Sequence, residues 1–397
     1  MRIILFYHSL IADWNHGNAH FLRGVVTELK ARGHAVTVYE PRDGWSRSNL
    51  LKEDPLALRG FQAAYPNLNS KTYDSAARLA KDAGALHSIL KDADLVIVHE
   101  WNDHELVKAI GSHHHKHPGY HLIFHDTHHR CVTEPASMAA YDLRHYDGVL
   151  AFGNIVRDIY LQLGWARRAW TWHEAADTRL FKPGSPATKK EGDLVWIGNW
   201  GDEERTAELH TFLFTPIQDL GLRARIYGVR YPDEALEELR RMGVQYAGYI
   251  PNYNVPAVFN QFKLTVHVPR RPYTRALPGI PTIRPFEAMA CGIPLISAPW
   301  SDVEHLFSPG KDFLTARTTD EMKCHMKLLI NDEAAARQLS AHARQTILSR
   351  HTCAHRVDEL LDIVHELKHT PARVFIPINP ITARQSNAGA PIHVTRS

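Results

Sequence analysis

Arg284 and Glu287 stand three residues apart in the stretch IRPFEAMACGIPLISAPW, residues 283–300. A carboxylate accepts hydrogen bonds through two oxygens at once, which suits a pair of neighbouring hydroxyls. A guanidinium carries a fixed charge in a rigid fork and suits an oxyanion. Pro285 fits the first turn of a helix and Gly292 a left-handed cap at its end, so both side chains ride on a helix of roughly two turns. The N-terminus of that helix is itself an anion site, and Arg284 adds charge at its mouth.

Other residues of chemical interest cluster in loops. GNWGDEERTAEL, residues 198–209, offers Gly198, Asn199 and Gly201 in a tight turn with exposed backbone N–H groups, followed by Arg205 on a helix. The turn either contacts a phosphate or merely reverses the chain, with Arg205 pairing to Glu203 or Glu208. In SLIADWNHGNAHFLRG, residues 9–24, the residues His16, Gly17, Asn18 and His20 crowd one loop, where Gly17 would admit a ligand close to the backbone. HDTHHR, residues 125–130, brings His125, Asp126, His128 and His129 to a strand end. They read as metal ligands or, better, as His125 and Asp126 reaching into a cleft to touch hydroxyls, because ligands this close in a loop lack helix-fixed spacing. HHHKH, residues 113–117, reads as a solvated helix end. Arg270, Arg271 and Arg275 lie in a proline-stiffened loop that either guards an anion or is solvated surface.

These loops need strands to hold them. Apolar runs at residues 2–7, 35–39, 94–99, 121–125, 148–152 and 168–172 alternate with helical patterns, which is the mark of a parallel α/β sheet. Residues 40–72 break the alternation with scattered Pro, Gly and Asn and read as a long loop or irregular insertion. FKPGSPATKKEGD, residues 181–193, reads as a linker. A second series then follows, with strands at 194–198, 224–228, 264–268 and 294–297. The expected organisation is a first domain over 1–178, a link over 179–193, a second domain over 194–350, a closing helix over 351–369 and an irregular tail over 370–397.

With 397 residues, 44% hydrophobic and 22% charged, the chain has the make-up of a globular protein with two cores. Its 46 basic and 43 acidic residues leave a net charge of +3, and no basic block interleaved with aromatics points to nucleic acid. No apolar run approaches a membrane span, and four scattered cysteines suit a reducing compartment, so the cytoplasm is the expected location.

FEAMACGIPLISAP, WHEAADTRLFKP near the link and the N-terminal strand with its glycine-containing loop resemble glycosyltransferases of the GT-B architecture, in which two Rossmann-like domains face a central cleft. The likeness is to retaining family-4-type enzymes and to the spore-maturation CgeB-like group, whose style of late segment is matched by HTCAHRVDELL, residues 351–361. It implies transfer of a sugar from a nucleoside diphosphate donor to an acceptor hydroxyl, with no cofactor and no metal. By that likeness Glu287 holds the donor ribose. Arg284, Arg205, Gly198, Asn199 and Gly201 hold the diphosphate, and His16, Gly17, Asn18 and His20 face the acceptor or the sugar. Catalytic roles fall to Arg284, His125 and Asp126, and Asp126 as a general base would give inversion rather than the retention the family suggests. Family-4 enzymes carry two glutamates with seven residues between them, and here the first position is Gly279. A nucleotide-sugar epimerase of the same architecture and an inactive sugar-nucleotide-binding homologue are the alternatives.

Overall fold

The computed structural model describes residues 1–369 except 186 and 202; the expected tail over 370–397 lies outside the described residues. Two parallel sheets organise the chain. The first contains β1 (Arg2–Phe6), β2 (Ala35–Pro41), β3 (Lys71–Tyr73), β4 (Leu95–His99), β5 (His121–Asp126), β6 (Gly148–Ala151) and β7 (Ala169–Thr171), in spatial order β3-β2-β1-β4-β5-β6-β7. The second contains β8 (Gly192–Ile197), β9 (Ala224–Tyr227), β10 (Gln245–Tyr246), β11 (Phe262–His267), β12 (Leu295–Ser297) and β13 (Leu314–Thr315), in order β10-β9-β8-β11-β12-β13.

Central strands read as unbroken apolar runs because helices cover both faces of a parallel sheet. All five residues of β4 are buried, and Leu5 pairs in register with Val38 on one side and Ile97 on the other. In each sheet the chain winds outward from its first strand and then crosses back to the other side. The order therefore reverses between β1 and β4, and again between β8 and β11, and the crevice outside the carboxyl ends at such a reversal is where open α/β sheets bind ligands.

Residues 40–72 are not a long loop. They form the helices Trp45–Glu53 and Ala57–Ala64 and lead into the edge strand β3. The second helix is held by one apolar stripe, in which Phe61, with Tyr65 just beyond the helix end, covers the buried Arg23 guanidinium at 4.9 and 5.4 Å. The helix predicted around Glu287 spans Ile283–Cys291 and ends at Gly292 with φ 70°.

The closing helix Cys353–His369 returns to the first sheet, where Val357, Leu360 and Val364 join a core with Leu22, Val25 and Leu29 of the helix Ala19–Ala31. Tyr273, Leu277 and Ile280 from the second half likewise enter the core of the first. The two sheets are thus tied by apolar packing on both sides of the cleft. Among the described residues no helix is long and apolar enough to cross a membrane.

Candidate active site

A cavity of about 680 Å³ lies between the carboxyl edges of the two sheets. From the first sheet it takes His8, Asn15–Asn18 after β1, Trp101 after β4, and Thr127–His129 after β5. From the second it takes Gly198 and Asn199 after β8, Gly228 after β9, Val268–Arg270 after β11, and Thr282–Arg284 at the start of the helix Ile283–Cys291. Loops flanking both strand-order reversals therefore line one space.

Four arginines, Arg205, Arg230, Arg270 and Arg284, line the cavity. Arg284 pairs with Glu287, and Arg270 pairs with Glu204 at 2.6 Å. Arg205 has no carboxylate partner among the described residues. Its Nη1 donates to Val268 O at 3.0 Å and its Nη2 to Asn199 O and Oδ1 at 2.6 and 2.8 Å, while its buried Nε finds no acceptor. Burial, and then the charge of Arg270, push Arg205 down to about 9. The group is a desolvated cation with a spare donor, which an anion in the cavity would satisfy.

The Gly198–Gly201 turn seats that arginine, and two of its amides are engaged within the protein. The Gly198 N–H is taken by Tyr227 O at 2.9 Å and the Trp200 N–H by Val229 O at 3.4 Å. Gly201 adopts φ +95°, and a Cβ there would lie 2.8 Å from Arg205 Cγ and Nε. Asn199 accepts from both Arg205 and Arg270, so it holds the two cations side by side.

Glu287 is fully buried and does not line the cavity. Its Oε1 accepts from His20 Nδ1 at 2.9 Å and Asn252 Nδ2 at 2.7 Å, and its Oε2 is taken by Arg284. Burial works against the charge, yet Arg284, His20 and Asn252 together hold this carboxyl below its ordinary value. The ribose contact expected of Glu287 is therefore not the one this structure displays, because both oxygens are engaged by the protein. The carboxylate instead fixes Arg284 at the cavity wall.

His20 is corrected in the same way. Its Nε2 accepts from the Asp177 N–H at 2.7 Å, so Nδ1 carries the ring proton and donates it to Glu287. The ring stacks on Phe181 at 3.7 Å and is wholly buried at the junction of the two halves, where it does not line the cavity. His16, Gly17 and Asn18 do line the cavity. Asn18 carries a buried side-chain amide with neither end bonded, and His16 Nε2 lies 3.2 Å from Ser9 O.

His125 and Asp126 are misplaced by the sequence reading. Both are wholly buried beneath the cleft floor and neither lines the cavity. His125 packs against Trp172 at 4.9 Å, and burial takes it down to about 3. Asp126 accepts from the His128 N–H at 3.0 Å and the Tyr160 hydroxyl at 2.9 Å, with burial raising it to about 6. Their strand ends the sheet inside the core, so the next residues, Thr127–His129, are the ones that reach the cleft. The four residues 125, 126, 128 and 129 do not converge as a metal site among the described residues.

Glu174, within WHEAADTRLFKP, lines the cavity and was not singled out. Its carboxyl makes no hydrogen bond or ion pair among the described residues. Burial first, and then the charge of Glu287, raise it to about 8 against the pull of Arg284. At neutral pH it is a hydrogen-bond donor facing the cavity. The imidazoles of His8, His128 and His267 also line the space, and burial lowers all three, so they are neutral there.

This arrangement of two facing parallel α/β domains is the GT-B fold of glycosyltransferases. Residues 205–362 match the family described as glycosyl transferase-like. Among solved structures, the HepE protein of Anabaena in complex with UDP and glucose is similar with a TM-score of 0.65 at 15% identity, over 92% of this chain and all of that one. Sucrose-phosphate synthase from Thermosynechococcus elongatus is similar with a TM-score of 0.61 at 14% identity, over 93% of this chain and 99% of that one. An alpha-glucosyltransferase in complex with UDP-glucose and DNA is similar with a TM-score of 0.64 at 12% identity, over 92% of this chain and 99% of that one. No curated protein matches the sequence.

Proposed function

We propose that the cleft binds a nucleoside diphosphate sugar, of which a uridine diphosphate sugar is the favoured donor, and transfers the sugar to an acceptor hydroxyl. The observation that carries this reading is the desolvated Arg205, which has no carboxylate partner among the described residues, beside Arg270 and Arg284 at a helix N-terminus. The base is suggested by the UDP and UDP-glucose held by the structurally similar HepE protein.

In the transfer, the bond between the sugar C1 and the β-phosphate oxygen breaks while the acceptor oxygen bonds to C1. Negative charge then grows on the departing diphosphate, where fixed cations and a helix N-terminus stabilise it more than they stabilise the intact donor. Arg205 acts directly, and Arg284 is oriented by Glu287. Closure of the two halves around a bound donor would exclude water.

The acceptor proton needs a base. Asp126 is walled off below the floor, and the raised Glu174 holds its own proton at neutral pH, while burial makes the lining imidazoles of His8 and His128 weak bases; a phosphate oxygen of the departing group is the base this reading favours. That route runs on one face of the sugar and supports retention of configuration. Charge stabilisation by guanidinium groups supports metal independence.

The reading is tested by following UDP release from a panel of UDP-sugars with crude and defined acceptor hydroxyls, in the presence and absence of EDTA. Release that depends on acceptor and survives the chelator is the expected result. Loss of activity that magnesium or manganese restores would contradict metal independence, and conversion of the free sugar nucleotide without acceptor would contradict transfer.

A further inference from the structure

The segment HHHKH is not a fully solvated helix end. It closes the helix His104–Lys116, and His113 within it is buried. His113 and His117 are four residues apart, the spacing that puts two imidazoles on one face of a helical turn. His87, from the helix Ala83–Leu90, meets them from the side, and one ring nitrogen from each of the three lies within 4.8 Å of the others.

We propose that His87, His113 and His117 form a binding site for a divalent first-row transition ion such as zinc, separate from the cleft. Three further details fit. His113 Nδ1 lies 3.1 Å from the Tyr120 hydroxyl, an outer partner that fixes the ring and leaves Nε2 for a metal. That Nε2 lies 3.1 Å from His87 Nδ1, which donates to it when His113 Nδ1 donates to the Tyr120 hydroxyl, and a metal between them would take the His113 lone pair and that of His87 in its other tautomer. Tetrahedral zinc at about 2.0–2.1 Å from each nitrogen needs the ligands about 3.3 Å apart. The exposed His87 and His117 rings have only a short swing to make toward the fixed His113.

The site belongs to a different part of the molecule from the transfer chemistry. The helix His104–Lys116 begins behind Trp101 at the cleft and runs about 20 Å, at 1.5 Å per residue, to the opposite edge of the sheet. A bound ion would clamp this helix end to the helix Ala83–Leu90, and water or another donor would complete its coordination.

The test uses the full chain without a histidine tag, stripped with EDTA and titrated with cobalt(II) and then zinc. The expected result is one equivalent that gives the intense visible absorption of four-coordinate cobalt, is displaced by zinc, and raises the melting temperature. His87→Ala/His117→Ala, which alters two exposed rings, should abolish the absorption and the thermal shift. It should leave UDP-sugar turnover unchanged. No four-coordinate absorption in the parent chain would overturn the proposal, as would an unchanged one-equivalent signal in the double variant. Loss of turnover with the metal would overturn the separation from the cleft.

Discussion

His20 Nδ1 donates to Glu287 Oε1 at 2.9 Å, joining the first helix of one half of the molecule to the helix that opens on the cleft from the other. Asp13 makes a parallel link, accepting from the Asn252 N–H at 2.9 Å while pairing with Arg23 at 2.8 Å. The cleft therefore owes its shape to buried polar contacts as well as to apolar packing.

Glu287→Ala would leave the donors of His20, Asn252 and Arg284 without their acceptor in a wholly buried place. Breaking such a network from one side costs about 3–5 kcal/mol. Chemical denaturation should show a loss of that order, with Glu287→Gln losing less because it keeps one acceptor oxygen. A variant as stable as the parent would show that the carboxylate is not the structural tie described.

Glu174 should make stability fall as pH rises. Its folded-state value near 8 lies above the ordinary carboxyl range, so the unfolded chain releases the proton first. Stability is full below the unfolded value, declines through the interval up to about 8, and is level beyond it. Glu174→Gln removes this penalty. The melting temperature of the variant should match the parent near pH 4 and exceed it at pH 9; equal melting temperatures at both would refute a protonated Glu174.

Gly279 occupies the position of the first glutamate in the family-4 pattern, and restoring the acid should fail. The residue has φ +93°, and a Cβ there would lie 2.8 Å from Glu304 Cγ and 2.9 Å from Val303 Cγ2. Glu304 cannot yield easily, because its carboxylate holds His173 at 2.7 Å and the Asn154 N–H at 2.8 Å. Gly279→Glu should lower the melting temperature and turnover together. A stable variant with higher turnover would mean that the loop can reshape around the acid.

Gly201→Ala should act on ligand binding as well as on stability. The added methyl collides with the Arg205 stem, and φ +95° disfavours any side chain. Diphosphate affinity should fall by about tenfold or more as Arg205 loses its contacts to Asn199, each charged hydrogen bond being worth about 1.5–3 kcal/mol. Unchanged affinity in calorimetry would separate the glycine from the anion site.

Most strands were legible because burial on both faces leaves an unbroken apolar run, as in β4, and the end of the helix Ile283–Cys291 was legible because only a left-handed cap suits Gly292. β10 and β13 are two residues long and carry no periodicity to read. The helix Ala57–Ala64 was hidden because its stripe serves a buried arginine as much as a sheet. At the site, residues that reach the cavity along one chain segment, such as His16 to Asn18, could be proposed from sequence. What sequence could not supply was depth. His125 and Thr127 are two residues apart at the end of one strand, yet one is under the floor and the other in the wall. Glu174 escaped notice because its raised proton affinity arises from burial and from Glu287, over a hundred residues away.

Calorimetric titration with UDP, UDP-glucose and uridine, on the parent chain and on Arg205→Met, tests the central claim most directly. The parent should bind both diphosphates and bind uridine far more weakly, and Arg205→Met should weaken UDP by about 10–100-fold, the loss of about 1.5–3 kcal/mol expected for a charged hydrogen-bonding partner. Equal binding of uridine and UDP, or a folded Arg205→Met chain that holds UDP as tightly as the parent, would contradict a diphosphate site at Arg205.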